Sequence, residues 1–265
     1  GIAVNDGTGK MQLLNGNDTA ALLVHYILNA YKTNGTLPAN GFTAATVVTT
    51  DLIADISAAY GVPCYRCLTG FKWIADIINN KPEEQFLVGG EESYGYLIGD
   101  DVRDKDAVAS AVMIAEMAAN AKAQGRTVLQ QLEAIHREFG QYQERLISIT
   151  KKGRSGAQEI ADMMTALRND PPKTLAGSPV IVAIDHAKST QTDLRTGATS
   201  STQLPASNVL QFITEAGDKV SARPSGTEPK IKFYFSVRTT TGESHAATKA
   251  ELERKIDTFI EELNL

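Results

Sequence analysis

The sequence predicts an α/β unit followed by an α+β unit, and three patterns carry that expectation. First, short apolar strands alternate with helices from about residue 45 to residue 123, the arrangement of a mostly parallel sheet covered on both faces. Second, the character changes near residues 137–141. Gln141 to Lys151 alternates through Tyr142, Leu146 and Ile149 like an antiparallel strand. Third, Leu252, Ile256, Phe259, Ile260 and Leu263 form one stripe of a terminal helix, which suits a helix lying on one face of a sheet.

In chain order, residues 1–15 read as a strand, an Asn5–Gly9 turn and a second strand ending at Leu13-Leu14. A lone hairpin is marginal in water, so this piece is expected to be the stub of a preceding domain. Asn17 or Asp18 is placed to cap a helix carrying Leu23, Ile27 and Ala30. Ala45–Thr50 is a β-branched strand, Leu52–Tyr60 a helix, Val62–Leu68 a strand, Phe71–Asn79 a helix and Phe86–Val88 a strand. Lys105–Ala123 is a long Ala-rich helix, and Leu129, Leu132, Ile135 and Phe139 mark another.

In the second unit Ile160, Met163, Met164 and Leu167 mark a helix face, Val180–Ile184 is a strand, and residues 189–203 read as a Ser/Thr-rich loop. Val209–Ile213 is a strand, and Ile231, Phe233, Phe235 and Val237 alternate with polar residues. The domains are therefore 1–16, 17–137 and 138–265.

Composition narrows the function. The 265 residues are 42% hydrophobic and 22% charged, with net charge −5, ordinary values for a soluble globular protein of about two domains. Mild acidity argues against non-specific nucleic-acid binding. No apolar run approaches the ~20 residues of a membrane span. No secretory pattern is present, and a cytoplasmic location is expected. The chain opens at Gly1 inside a strand-like run without an initiator Met, so an N-terminal part is expected to precede it. The two cysteines, Cys64 and Cys67, sit in a strand pattern that points them to opposite faces. A redox pair usually caps a helix instead. The four histidines, His25, His136, His186 and His245, are scattered and are assigned structural or surface roles.

Ligands of open α/β sheets bind beyond the carboxyl ends of the strands. Three loops qualify: Thr49-Thr50-Asp51, Thr69-Gly70-Phe71-Lys72 and Gly89-Gly90-Glu91-Glu92-Ser93-Tyr94-Gly95. Together they offer a lysine, two carboxylates and hydroxyls, an inventory suited to a sugar; the plainer reading of Glu91-Glu92 is a solvated pair of charges. Asp100–Asp106 leads into the long helix. Capping accounts for Asp104 and Asp106 but poorly for Arg103 and Lys105, which are candidate anion ligands. Ser221–Lys230 combines Arg223, Ser225, Gly226 and Thr227 with Lys230. Because Gly217-Asp218 can turn the chain by itself, this stretch reads as surplus to the connection. It is either a solvated turn or a cradle for phosphate oxygens.

Gly90-Glu91-Glu92-Ser93, Thr69-Gly70-Phe71-Lys72, Arg103-Asp104-Lys105-Asp106 and Arg223-Pro224-Ser225-Gly226-Thr227-Glu228-Pro229-Lys230 stand in the order seen in the α-D-phosphohexomutases. Over nearly its whole length the chain resembles the C-terminal half of a bacterial phosphoglucomutase/phosphomannomutase. The resemblance implies that residues 1–16 end the second of four domains, that 17–137 form the third, and that 138–265 form a TATA-binding-protein-like fourth. It implies that Glu91 and Ser93 bind the sugar's 3- and 4-hydroxyls beside Thr69, Gly70 and Lys72. Arg223, Ser225, Gly226, Thr227 and Lys230 would bind the non-reacting phosphate, with Lys105, Arg103 and Lys72 near the ligand's phosphates and Lys105 a possible assisting group in catalysis.

The implied partners are a hexose phosphate and the two preceding domains of the same polypeptide. The family's cofactors are Mg²⁺ and hexose 1,6-bisphosphate. The chain departs from the family in lacking the Ser-His-Asn-Pro phosphoserine loop and the Asp-x-Asp-x-Asp metal loop. It is therefore expected to bind no Mg²⁺ through its own ligands, to bind sugar phosphate weakly and to turn nothing over. A phosphopentomutase, a hexose-bisphosphate synthase and a non-catalytic sugar-phosphate-binding module are the alternatives.

A double Cys64→Ser/Cys67→Ser variant of the full-length protein is expected to keep its activity, read as steady-state turnover. Loss of turnover without loss of folding would instead assign the pair a chemical role.

Overall fold

A computed structural model describes residues 1–151, 153–240 and 244–265. Two compact units are present, Gly1–Gly140 and Gln141–Leu265.

The first unit begins with the hairpin β1 (Ile2–Asn5) and β2 (Met11–Leu14). Helix α1 (Gly16–Thr33) is capped by Asn15, whose Oδ1 accepts from the Asp18 amide at 2.8 Å. The expected caps, Asn17 and Asp18, lie inside the helix. Asn17 instead accepts from the Thr50 amide at 3.0 Å, so its side chain is committed to another loop.

β3 (Gly41–Thr46) is followed by α2 (Leu52–Ala59), β4 (Cys64–Cys67), α3 (Phe71–Asn80), β5 (Gln85–Glu91) and β6 (Gly95–Ile98). α4 (Ala107–Ala123) and α5 (Val128–Phe139) close the unit. β3 lies four residues earlier than the β-branched run Ala45–Thr50 predicts. Propensity marks Val47–Thr50, but all six residues of β3 are buried. Small residues there allow helices to pack on both faces.

The sheet order is β4-β3-β5-β6, parallel except for the β5–β6 hairpin. On one face Phe42, Ala44 and Phe86 pack with Phe71, Ile74 and Ile78 of α3. On the other, Thr43 Oγ1 meets Ser57 Oγ of α2 at 2.8 Å. Gly89, expected in a loop, lies inside β5 because a Cβ there would stand 2.3 Å from the Ala44 carbonyl oxygen. The glycines thus serve the close approach of two strands rather than a turn.

The second unit opens with β7 (Gln141–Thr150) and α6 (Gly153–Asn169), then β8 (Thr174–Leu175), β9 (Ser178–Asp185), β10 (Thr190–Asp193) and β11 (Thr199–Ser201). β12 (Leu210–Thr214), β13 (Lys219–Pro224), β14 (Lys230–Thr239) and α7 (His245–Glu262) complete it. The order β11-β10-β9-β12-β13-β14-β7 is antiparallel throughout. Ile231, Phe233, Phe235 and Val237 of β14 pack with Ile160 and Met164 of α6 and Leu252, Ile256 and Phe259 of α7. The alternation predicted for β14 is the one observed.

Residues 189–203 are not simply a loop. Thr190–Asp193 and Thr199–Ser201 pair as an edge hairpin. Polar composition there reflects an exposed edge, where threonine remains a good strand former. Ser221–Pro224 likewise belongs to β13 and Lys230 to β14, so Ser225–Pro229 is the β13–β14 connection itself and not surplus to it.

Gly89→Ala is expected to lower the unfolding free energy by roughly 1–3 kcal/mol through strain between β3 and β5. Urea denaturation reads it. An unchanged midpoint at unchanged slope would show that the strands can separate without loss.

Candidate functional site

The carboxyl ends of β3, β4 and β5 converge at one end of the first unit's sheet. β3 lies between β4 and β5, so the chain crosses over it after β4. Such a reversal leaves a crevice at the strand ends. Glu91 is the last residue of β5 and Glu92 the first of the turn that follows, and their side chains go to different neighbours. Glu91 Oε1 accepts from the Gly70 amide at 2.8 Å, on the side of α3. Glu92 Oε2 accepts from Thr49 Oγ1 at 3.2 Å and Thr46 Oγ1 at 3.5 Å, at the end of β3. Glu91-Glu92 is therefore a pair of anchored, half-buried carboxylates, not a solvated one.

Lys105 reaches the same place. A Cβ on Gly95 would stand 2.7 Å from Lys105 Cδ and 3.5 Å from Glu91 Oε2. The lysine stem thus lies over the glycine, beside the carboxylate. Its ammonium is 5.1 Å from the centre of the Phe71 ring and 2.6 Å from Asp104 Oδ1. Lys105 holds the Asp104 carboxyl below its ordinary range through side-chain and backbone hydrogen bonds.

Ser93 is exposed in the three-residue turn from Glu92 to Tyr94. Tyr94 closes that turn at φ 67°, a left-handed position usually given to glycine and costing other residues roughly 1–2 kcal/mol. Such strain gathers at functional sites. Thr69 and Gly70 are half-buried at the entrance to α3, and no side chain caps that helix. Lys72 is exposed in its first turn, 4.9 Å above the Trp73 ring.

Arg103 is not brought to this cluster. Its Nε donates to Asn79 Oδ1 at 3.0 Å, near the far end of α3, about 12 Å along the axis from Phe71. Arg66 was not singled out by sequence, yet it organises the Thr49–Asp51 loop. It donates to the Thr49 carbonyl at 2.8 Å and to Asp51 Oδ1 at 2.6 Å. A cation in the middle of a strand pattern is the signal that could have found it. On the same strand Cys64 is half-buried and Cys67 buried, both free thiols. Burial pushes the Cys67 thiol up to about 12.

In the second unit, residues 225–229 connect β13 to β14. The Ser225 amide donates to the Lys230 carbonyl at 2.7 Å, and the Lys151 amide donates to the Pro229 carbonyl at 2.9 Å. The Thr227 amide meets Ser225 Oγ at 3.4 Å. A Cβ on Gly226 would meet nothing within 4 Å. The fold itself makes no steric demand for glycine there, and the space over its backbone is open. The loop borders a hollow of about 530 Å³ floored by Ile160 and Met164 of α6.

Arg223 stands directly opposite Lys232 across the β13–β14 ladder. Like charges so placed repel. Among the described residues, neither cation has a hydrogen-bond or ion-pair partner. Lys230, by contrast, is held by Glu228 at 3.0 Å. Lys232 is a second residue that sequence reasoning passed over; only the register reveals it.

The fold matches solved phosphohexomutases. The open form of parafusin, a phosphoglucomutase from Paramecium, aligns with 97% of this chain at TM-score 0.65 and 16% identity, using 42% of its own length. A phosphoglucomutase/phosphomannomutase family protein from Burkholderia thailandensis aligns with 99% at TM-score 0.55 and 13% identity, using 44%. At such identities the likeness speaks for fold alone. It shows that the chain shares their fold.

Sequence carries the assignment further. Residues 15–139 match the phosphoglucomutase/phosphomannomutase alpha/beta/alpha domain III family. A phosphoglucomutase from Staphylococcus epidermidis is 37% identical over 238 residues, which is 89% of this chain and 43% of the relative. A protein of Haemophilus influenzae described as a probable phosphomannomutase is 37% identical over 239 residues, with the same coverage. The chain belongs to the phosphoglucomutase/phosphomannomutase family of the α-D-phosphohexomutases and spans less than half the length of these curated relatives.

Glu91→Ala is expected to raise hydrogen exchange at the Gly70 amide by roughly 10- to 100-fold, because a hydrogen bond to a charged acceptor contributes about 1.5–3 kcal/mol. An unchanged rate would show that the carboxylate does not hold the Thr69–Phe71 turn.

Proposed function

We propose that this chain supplies the sugar-binding and distal-phosphate-binding units of a mutase that interconverts hexose 1-phosphate and hexose 6-phosphate. The observation that carries the reading is the Arg223–Lys232 pair: two cations facing one another, without an anionic partner among the described residues, beside Ser225, Gly226 and Thr227. A phosphate dianion there relieves their repulsion and receives hydrogen bonds from guanidinium, ammonium and hydroxyls. In this reading Lys230, tethered to Glu228, adds positive charge at the root of the loop.

The first unit serves the sugar. Glu91 keeps a lone pair for a hydroxyl while its other oxygen holds Gly70, and Ser93 offers a hydroxyl in a turn fixed by Tyr94. Thr69, Gly70 and Lys72 border the same crevice. Lys105 is placed to steady negative charge beside Glu91. Arg103 has the smallest claim, being tied to Asn79.

What these residues do is bind and orient, which holds a reacting oxygen near its attack geometry. In the proposed whole protein, phosphate passes between a serine and either end of the sugar through a hexose 1,6-bisphosphate. Among the described residues, no group of three or more His, Cys, Asp or Glu is arranged to hold a metal. In this reading the Mg²⁺ associated with such chemistry is held by the preceding part of the whole protein. Also among the described residues, no helix is long and apolar enough to cross a membrane.

In the full-length protein, Arg223→Ala is expected to raise the KM for hexose phosphate by a factor of order 10 to 100, read by steady-state kinetics on glucose 1-phosphate and mannose 1-phosphate. An unchanged KM would move the phosphate site elsewhere. Negligible turnover of both hexoses beside turnover of ribose 1-phosphate would replace the hexose by a pentose.

A further inference from the structure

The second unit carries another cationic concavity, at the opposite end of β14 from the Ser225–Pro229 loop. It is a hollow of about 660 Å³ between the end of β14, the β12–β13 turn and one face of α7, a size suited to a small organic ligand. Lys230, at the loop, and Arg238, at this hollow, are eight residues apart on one strand, about 26 Å.

Charge around α7 is sorted. Glu253 and Asp257 turn toward β7, where both pair with Arg145. Glu251, Arg254 and Lys255 line the hollow with Arg238, at the spacing that shares a helix face. Lys255 is fixed in place by Asp218, a fully buried carboxylate 2.5 Å away. That carboxylate also accepts from the Arg238 amide at 3.1 Å. One ammonium donor is thereby spent and the others remain. The Arg238 guanidinium donates to Tyr142 Oη at 2.7 Å, which holds its charge at the rim. Arg254 is exposed and, among the described residues, its guanidinium has no partner.

Among the described residues, Arg254, without a side-chain partner, and Lys255, held by Asp218, put positive charge on the α7 side of this hollow, in a chain of net charge −5. A guanidinium fork beside a fixed ammonium matches the oxygens of a phosphate group. Glu251, the one acid among the described lining residues, is a hydroxyl acceptor at the edge of such a ligand. We propose that this hollow is a second phosphate-binding site, taking inorganic phosphate or a hydroxylated phosphate monoester. It does not depend on the loop at the other end of β14.

The test is an NMR titration of the 265-residue chain, in which amide shifts report each end of β14 separately. Inorganic phosphate is expected to give saturable shifts at Arg238, Arg254 and Lys255, whether or not Ser225–Thr227 also shift. Arg254→Glu, at an exposed position, is expected to keep the melting temperature and weaken those shifts at least about tenfold. Glucose 6-phosphate separates the two sources. Equal affinity supports recognition of the phosphate alone. Tighter binding that Glu251→Gln abolishes supports the monoester. Absence of shifts at the α7 end, or shifts indifferent to Arg254→Glu, overturns the proposal. Shifts confined to Ser225–Thr227 would overturn it while leaving the phosphate loop standing.

Discussion

A strand buried on both faces can carry chemistry only where it ends. β3 has no exposed residue, and β5 approaches it so closely that Gly89 has no room for a side chain. Polar function in the first unit is therefore pushed to the strand ends, where the ladder stops and backbone and side chains can turn outward. Everything assembled there follows from that limit: the anchored carboxylates of Glu91 and Glu92, the uncapped start of α3, the strained turn at Tyr94, and the lysine lying over Gly95. Glu91 ends β5 and Glu92 opens the turn beyond it, and the two carboxylates reach different neighbours. One residue step decides which of them holds α3 and which holds the end of β3.

The second unit solves a different problem by a different device. An antiparallel sheet with helices on one face presents its loops at both ends of each strand, and β14 uses both. At one end, pairing with β13 sets Arg223 against Lys232 under a hydroxyl-bearing loop. At the other, Asp218 fixes Lys255 beside Arg238. In each case cations are gathered by the register and packing of the sheet. Like charges facing one another are a cost to the folded state.

Much of this was legible in the residues. The βα alternation, the change of character near residue 140, the two-residue period of β14 and the stripe of α7 all follow from periodicity, because burial of one face imposes it. The four motifs carried the family, since glycines, cations and hydroxyls kept in a set order leave a chemical trace. Elements shaped by neighbours were misplaced. The β-branched run Ala45–Thr50 predicts a strand that the structure places at the small residues of β3, Gly41–Thr46, packed between helices. The cap expected at Asn17 or Asp18 falls at Asn15, and the Asn17 side chain serves Thr50. Gly89-Gly90 was read as loop because local sequence does not show that another strand passes within contact distance. The hairpin at residues 190–201 was hidden by its polar composition.

By itself, then, the sequence determined the two fold classes, the faces of the long amphipathic elements and the family, because these depend on local propensity, period and order. Tertiary structure alone decided which charges meet. Arg66 under the Thr49–Asp51 loop, Lys232 opposite Arg223, Arg103 drawn away to Asn79, and Lys255 held by Asp218 are all products of register and packing between segments far apart in the chain. A side chain's partner is set by the three-dimensional approach of elements, and no pattern within one element encodes it.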